Sequence, residues 1–318
     1  MFIQRFIRSF FVSSQKELDP SLGFTEVKPA GVWLIQKEYV LFTQRYYAMT
    51  SDEKTALIEG LCMTEKYTES IHAWVKEQPD SPLAHLLIGA LYTYTAWIAR
   101  SGLRAKYVTE EQFKLFFERL ECAYDHLSRA IDLDPHDAEP FARMIRVLMG
   151  LNQSVDLVYS YFNAMLERDP THLYGHLYLL NAVSHKWLGS DEEVMSFAEQ
   201  VKQRAPVGSL LHTIIPMAHI ELWLTLDYEE ERNRYFMQKS VQESIYQAYH
   251  QWVIGNPENS PLEPVIHNYF CFAFYWMRDT KLAQYERNAM GQYMTFSPWG
   301  YEGILTIKEI DRYLKQPK

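Results

Sequence analysis

Residues 123–135 read Ala-Tyr-Asp-His-Leu-Ser-Arg-Ala-Ile-Asp-Leu-Asp-Pro. Ala123, Leu127 and Ala130 stand 12, 8 and 5 positions before the final proline, a spacing that places them on one face of an α-helix. Proline cannot continue a helix, because its ring removes a hydrogen-bond donor and collides with the preceding turn. The stretch therefore predicts an amphipathic helix that buries one apolar face and ends before Pro135.

The same arrangement recurs along the chain. Pro135, Pro170 and Pro206 are 35 and 36 residues apart, and Pro79 lies 56 residues before the first of them. The three corresponding positions before each proline are apolar throughout: Tyr67, Ile71, Trp74; Ala123, Leu127, Ala130; Val158, Phe162, Met165; Val194, Ala198, Val201. A stripe that returns in four helices at this period predicts repeated helix pairs that bury their apolar faces against their neighbours.

This stripe resembles the second-helix half of the tetratricopeptide repeat, A-x3-F-x2-A-x4-P in outline, and Leu133-Asp134-Pro135 is similar to its usual ending. The first-helix half departs from the repeat, because its W-x2-L-G-x2-Y pattern is not reproduced and Arg146 stands where a small residue is usual. The chain is thus similar to an irregular member of the TPR-like superfamily. The resemblance implies an all-α fold, a TPR-like right-handed α-solenoid of stacked antiparallel helix pairs with a concave groove.

Composition and turn signals divide the chain into four parts. We predict an amphipathic N-terminal helix at 1–18, a linker rich in proline and glycine at 19–31, TPR-like helical repeats at 32–255, and a C-terminal helical pair and cap at 256–318. Helix starts are predicted at three capping boxes, which begin at Thr50, Thr109 and Ser190.

The first predicted helix places Phe2, Phe6 and Phe10 on one face. Its first sixteen residues hold three basic and no acidic side chains, and arginines interrupt the apolar run that a secretory signal would need. Two interpretations remain open. The helix is a peripheral membrane anchor or targeting segment, or it docks on the end of the helical array as a cap.

Charge and cysteine content bear on partners and compartment. The net charge is −9, with 40 acidic against 31 basic side chains, which argues against nucleic acid and favours a protein or peptide partner, and a basic partner fits this charge balance. The three cysteines are far apart and form no C-x-x-C pair, which predicts buried free thiols in a reducing, cytoplasmic setting.

Motifs for catalysis and cofactors are missing from the sequence. It contains no phosphate-binding loop, no G-x-S-x-G elbow and no HExxH motif, and we predict neither catalysis nor a cofactor. His172 and His176 have the spacing of a metal-binding pair, but no third ligand is identifiable. We therefore predict no metal site.

Candidate binding residues come from a second regularity. His85, His176 and His212 each lie six residues after a repeat proline, and Phe141 occupies that place after Pro135. Equivalent positions stack in a repeat array. The resemblance to tetratricopeptide repeats places first helices on the concave face, so these side chains are predicted to line the binding groove together with Tyr178. The alternative is that they are partly buried spacers that bond to the adjacent repeat.

Three functions are compatible with these observations. The first is a protein- or peptide-binding scaffold or adaptor without catalysis. The second is an immunity or inhibitor protein that neutralises a toxin by tight one-to-one binding. The third is an enzyme on an α/α frame, which would need carboxylates or histidines converging from several helices.

Overall fold

A computed structural model describes residues 18–101, 107–255 and 260–315. The described residues form helices and turns without any strand, so the predicted all-α class is confirmed. The predicted N-terminal helix at 1–18, with Phe2, Phe6 and Phe10, lies outside the described residues except for its last position. No helix among the described residues has both the length and the apolar composition that crossing a membrane requires.

The described part of the chain contains sixteen α-helices: α1 Val27–Gln36, α2 Tyr39–Tyr47, α3 Ser51–Cys62, α4 Thr68–Glu77, α5 Pro82–Arg100, α6 Glu110–Leu133, α7 Ala138–Gly150, α8 Val155–Leu166, α9 Leu173–Ala182, α10 Asp191–Arg204, α11 Ile214–Thr225, α12 Glu229–Tyr235, α13 Lys239–Ile254, α14 Glu263–Trp276, α15 Thr280–Met290 and α16 Ile307–Tyr313. Short 3-10 turns occupy Glu65–Tyr67, Leu210–Thr213 and Trp299–Glu302.

Side-chain caps set many of the helix starts. Thr50 and Thr109 form the predicted capping boxes, in which the threonine and the third helical residue satisfy each other's backbone N–H groups. Ser190 caps α10 through its own hydroxyl only, without the reciprocal bond.

Helix α1 starts inside the stretch 19–31 that the sequence predicts as a linker, because its buried residues, among them Ala30 and Leu34, give it an apolar face.

The described residues fall into two compact units. An N-terminal unit spans Gly23–Ala182 and contains α1 to α9, and a C-terminal unit comprises residues 183–315 together with 18–22. The division between the units falls inside the stretch 32–255 that the sequence predicts as one run of repeats. Each unit has its own buried core.

In the N-terminal unit, helices pack against the next helix in sequence, and alternate helices also contact one another. Helix α5 packs along α6, and α7 packs along α8. Helices α3, α5 and α7 also contact one another, and α9 contacts α7. The apolar stripe predicted before Pro79, Pro135 and Pro170 is buried at all its positions in this unit, with exposures of at most 5%. The long interval between the first two prolines holds α5 and α6, helices of 19 and 24 residues.

The packing of α5 against α6 depends on a glycine. A Cβ atom added at Gly89 of α5 would lie 2.7 Å from Cγ of Leu127 on α6. Leu127 is fully buried and belongs to the repeated stripe. The absence of a side chain at Gly89 therefore lets α5 and α6 pack closely along their length.

In the C-terminal unit, α10 packs with α11 and α14 packs with α15. The repeated stripe before Pro206 is buried here as well. Asn268 of α14 is fully buried, and its amide donates to the carbonyls of Pro264 and Tyr293 at 2.6 and 2.9 Å. Its carbonyl oxygen accepts from the Trp299 indole at 2.8 Å and from a backbone N–H at 3.1 Å. This one side chain therefore fixes the segment that follows α15.

Candidate functional site

A buried guanidinium lies inside the N-terminal unit, where α3 and α7 meet. Arg143 of α7 donates from Nη1 to Glu59 Oε1 at 2.8 Å and from Nε to Glu139 Oε2 at 3.0 Å. The side chains of Arg143, Glu59 and Glu139 are 7%, 11% and 1% exposed. One buried cation thus holds two buried carboxylates, one from each helix.

Glu139 has further partners on its other side. The Thr55 hydroxyl donates to it, and His172 Nε2 lies 3.3 Å from its Oε1. The backbone N–H of Gly175 donates to His172 Nδ1 at 3.1 Å, so the neutral ring carries its proton on Nε2, the nitrogen 3.3 Å from Glu139.

These contacts set the ionisation of the pair. Burial alone would raise the pKa of the Glu139 carboxyl, but the charge of Arg143 and the contact with His172 lower it to about 2. Burial acts to lower the pKa of His172, yet Glu139 raises it above its ordinary value. A carboxylate with so low a pKa is a poor general base at neutral pH.

A third carboxylate, that of Asp137, extends the cluster at the start of α7. Asp137 caps the helix by accepting the Glu139 N–H at 3.3 Å. Its other oxygen, Oδ2, accepts from the buried Tyr46 hydroxyl at 2.7 Å, and Lys54 Nζ lies 3.4 Å from the capping oxygen Oδ1. Burial raises the pKa of Asp137, and Lys54 and Tyr46 counteract that rise. The cluster therefore ties α2, α3 and α7 together.

A small pocket opens directly above Arg143. Its volume is about 10 Å³, room for about one water molecule. Four helices or their ends supply the lining: Glu59, Cys62 and Met63 from α3, Ala90, Thr93 and Tyr94 from α5, Arg143 and Arg146 from α7, and Tyr178 from α9. Glu59 and Arg143 are among the buried lining residues, whereas Tyr94, Arg146 and Tyr178 are half-buried and stand at the rim.

Arg146 is the charged residue of this rim, and its guanidinium lies between two aromatic rings. Its guanidinium carbon lies 5.2 Å from the Trp97 ring centre and 5.5 Å from that of Tyr178. Among the described residues no carboxylate forms an ion pair with it. Burial raises the pKa of Tyr178 to about 12 and also raises that of Tyr94, so both rim hydroxyls are neutral donors. The rim therefore offers one fixed cation and two hydroxyls to an acceptor.

The family of the chain follows from its sequence profile. The profile described as Domain of unknown function (DUF4034) matches residues 33–197, just over half of the 318 residues. The chain belongs to the DUF4034 family. No curated protein and no solved structure matches the chain.

The DUF4034 match covers the whole cluster and every lining residue of the pocket, since these lie between Tyr46 and Tyr178. It runs from the middle of α1 into α10. The site is therefore a property of the part of the chain that defines DUF4034 membership.

The residues predicted to line a groove have different places in this DUF4034 structure. His85, Phe141, His176 and His212 are all buried, with exposures of at most 9%. Tyr178 alone among the five predicted residues lines the pocket. Contact between a ligand and the four buried side chains stays a prediction, and in the structure they make packing contacts.

Two of these histidines share one internal role. His85 Nε2 lies 2.9 Å from the carbonyl oxygen of Pro79, and His212 Nε2 lies 3.0 Å from that of Pro206. At these two places, the imidazole of a histidine six residues after a repeat proline contacts the carbonyl oxygen of that proline. His176 instead bonds to the backbone oxygen of His172 at 2.9 Å.

Two further predictions concern thiols and metals. Cys62 and Cys271 are buried free thiols as predicted, whereas Cys122 is exposed, because it lies on the solvent side of α6 away from the buried stripe. In the part of the chain that the structure describes, no cluster of three histidine, cysteine or carboxylate side chains could hold a metal ion.

The Arg143 cluster was missed from the sequence because its members are far apart along the chain. Glu59 and Arg143 are separated by 84 positions. Two local signals were visible, the four-residue spacing of Glu139 and Arg143 on one helix face and the unusual arginine at position 146.

Proposed function

We propose that this DUF4034 protein is a protein- or peptide-binding module that acts as a scaffold or adaptor. In this proposal its N-terminal unit is a TPR-like stack of antiparallel helix pairs with a right-handed superhelical path. The pairing of α5 with α6 and of α7 with α8 supports this arrangement, as does the recurring buried stripe. The contacts among α3, α5 and α7 and between α7 and α9 support a shared face, which these four helices would form as the first helices of their pairs.

The observation that carries the proposal is the rim of the pocket. All four helices of the shared face contribute to the lining. Arginine and tyrosine are the side chains that most often dominate binding energy at protein interfaces. Because Trp97 and Tyr178 already hold the Arg146 guanidinium, binding would cost little side-chain entropy. Arg146 would donate to a carbonyl or carboxylate oxygen of the bound polypeptide.

The buried cluster below the rim would have a supporting role. Arg143 has two carboxylate partners, so its donors toward α3 and α7 are occupied by the protein itself. The cluster would keep α3 and α7 in one fixed arrangement, and Arg146 lies one turn further along the same helix. A rigid face of this kind suits recognition without catalysis.

Charge and cysteine content support a polypeptide partner in a reducing compartment such as the cytoplasm. The net charge of −9 opposes the phosphate backbone of nucleic acids. All three cysteines are free, as expected where disulfides do not form.

The test is a comparison of partners captured by matched variants. The tagged protein, its Arg146→Ala variant and a Lys239→Ala variant are purified from native cells, and bound proteins are quantified by mass spectrometry. The Lys239 side chain is 88% exposed in the C-terminal unit, and its replacement by alanine removes one positive charge, as Arg146→Ala does.

We expect Arg146→Ala to reduce recovery of a specific partner by at least about tenfold, the effect of one lost charge-assisted hydrogen bond. Lys239→Ala should retain that partner. Equal recovery by all three proteins would exclude the Arg146 face as the binding site. Circular dichroism of each purified variant checks that its helices are intact.

A further inference from the structure

A second and larger cavity lies elsewhere in the N-terminal unit, and it shares no lining residue with the pocket above Arg143. Its volume is about 270 Å³. It lies between α6, the end of α7 and the start of α8, and its lining residues are Glu121, Tyr124, Asp125, Leu148, Leu151, Gln153 and Leu157. The volume falls just below the range of about 300–1,000 Å³ for drug-sized ligands, so it suits a single long side chain.

The cavity has an apolar floor. Leu148 is fully buried, and Leu151 and Leu157 are half-buried beside it. Such a floor favours an aliphatic chain over a hydrated ion, because apolar surface is removed from water when it is covered.

The rim of the cavity is acidic. Glu121 and Asp125 stand four residues apart on α6, so both carboxylates lie on the same helix face. Neither forms an ion pair with a basic side chain among the described residues. Arg129, the basic residue one turn beyond Asp125, pairs instead with Asp80 at 2.7 Å. Two neighbouring carboxylates that form no ion pair favour the binding of a cation.

An aromatic ring completes the lining. Tyr124 lies between the two acidic residues in sequence and also faces the cavity. Aromatic faces attract ammonium and guanidinium groups, and such contacts add to those of carboxylates. Lysine and arginine combine an aliphatic stem with a cationic head, and they bury the stem while the head remains polar.

We propose that this cavity binds a lysine or arginine side chain of a partner protein. Leu151 and Leu157 contact the aliphatic stem, and Glu121 and Asp125 receive the cationic head. The overall charge of −9 attracts a basic partner over a longer range and raises its association rate. The site is independent of the Arg146 face, so either proposal can fail without the other.

The test uses methyl NMR of the full chain labelled at leucine methyl groups. The probes are acetylated and amidated seven-residue glycine–serine peptides whose central residue is lysine, arginine or norleucine. Norleucine has the aliphatic stem without the cation, and methylammonium chloride supplies a cation without the stem.

We expect the Leu151 and Leu157 methyl signals to shift and saturate with the lysine or the arginine peptide, with a Kd on the order of 1 mM. The norleucine peptide and methylammonium should bind at least about tenfold more weakly, since each lacks half of the interaction. Comparable affinity for the norleucine peptide would identify a purely apolar cavity and overturn the proposal. Saturation by methylammonium alone, or absence of any shift, would overturn it as well.

Matched variants locate the charge. The double variant Glu121→Gln and Asp125→Asn should weaken the basic peptide by about tenfold. The control is Glu118→Gln with Asp132→Asn, which changes the same charge on exposed positions of the same helix outside the cavity. An equal loss in the control would show that general attraction to the acidic surface, and not this cavity, binds the peptide. Unchanged signals from the remaining leucines confirm that each variant is folded.

Discussion

Replacing Arg143 with methionine tests the buried cluster most severely. Methionine fills a comparable volume but carries no charge. Glu59 and Glu139 then lose the guanidinium nitrogens that lie 2.8 and 3.0 Å from their carboxylate oxygens. Removing one partner of a buried ion pair typically costs about 3–5 kcal/mol, because the remaining charge stays desolvated. We expect a loss of this size, since the side chains of Arg143 and Glu139 are 7% and 1% exposed.

The matched control makes the same substitution in an exposed pair. Arg129 lies 2.7 Å from Asp80, but these side chains are 45% and 81% exposed. Solvent screens such a pair, so Arg129→Met should cost less than about 1 kcal/mol.

The assay is native-state hydrogen exchange followed by mass spectrometry on peptides from α3 and α7, which gives the free energy of opening of the N-terminal unit alone. Arg143→Met should lower this opening energy by several kcal/mol relative to Arg129→Met. If both variants lose less than about 1 kcal/mol, the cluster does not stabilise the helix layer and the reasoning is refuted.

Three further predictions concern other parts of the chain. Burial lowers the pKa of His176 to about 4, so as the pH falls the unfolded chain binds this proton before the folded chain does. The stability of the N-terminal unit should therefore fall as the pH falls from 6.5 to 4. His176→Asn should flatten that slope in hydrogen-exchange experiments at pH 6.5, 5.5 and 4. Asn268→Ala should destabilise the C-terminal unit by about 3 kcal/mol, because it leaves buried polar groups without partners. It should also increase hydrogen exchange in residues 293–299. Unchanged exchange there would contradict the role given to the Asn268 amide. Of the three free cysteines only Cys122 is exposed, so one thiol per chain should react rapidly with a thiol reagent and three after unfolding; three rapid thiols in the folded protein would contradict the described burial.

The buried stripe could be predicted from the sequence because it depends on local periodicity. Leu127 and its equivalents repeat at helical spacing before each proline, and all twelve such positions are buried. Helix starts at Thr50 and Thr109 were predictable for the same reason, since a capping box lies within four residues.

The histidine regularity coincides with a contact inside the fold at two of its positions. His85 and His212 occupy equivalent places relative to their prolines, and both bond to the proline carbonyl. At these two positions, the six-residue spacing coincides with a local contact between the histidine and the proline carbonyl. Sequence alone could not distinguish this contact from a ligand-facing position, because both require one polar side chain at the same point of the helix.

The Arg143 cluster depends on contacts that sequence order hides. Thr55 and Glu59 reach Glu139 and Arg143 across 84 positions in both cases. Helical periodicity shows that a residue lies on an inner face, but it does not show which distant residue lies opposite. Arg146 was the one member of the site whose departure from the repeat pattern marked it in advance.

The most direct test of the Arg146 face is site-specific photo-crosslinking in native cells. A photoreactive p-benzoylphenylalanine replaces the half-buried Tyr94 at the pocket rim, and the control carries it at Tyr228, which is 70% exposed in the C-terminal unit. We predict a discrete crosslinked protein from position 94, absent from position 228 and lost when Arg146→Ala is added. A partner that crosslinks at position 228 and not at 94, or a crosslink at 94 that persists without Arg146, would contradict binding at this face.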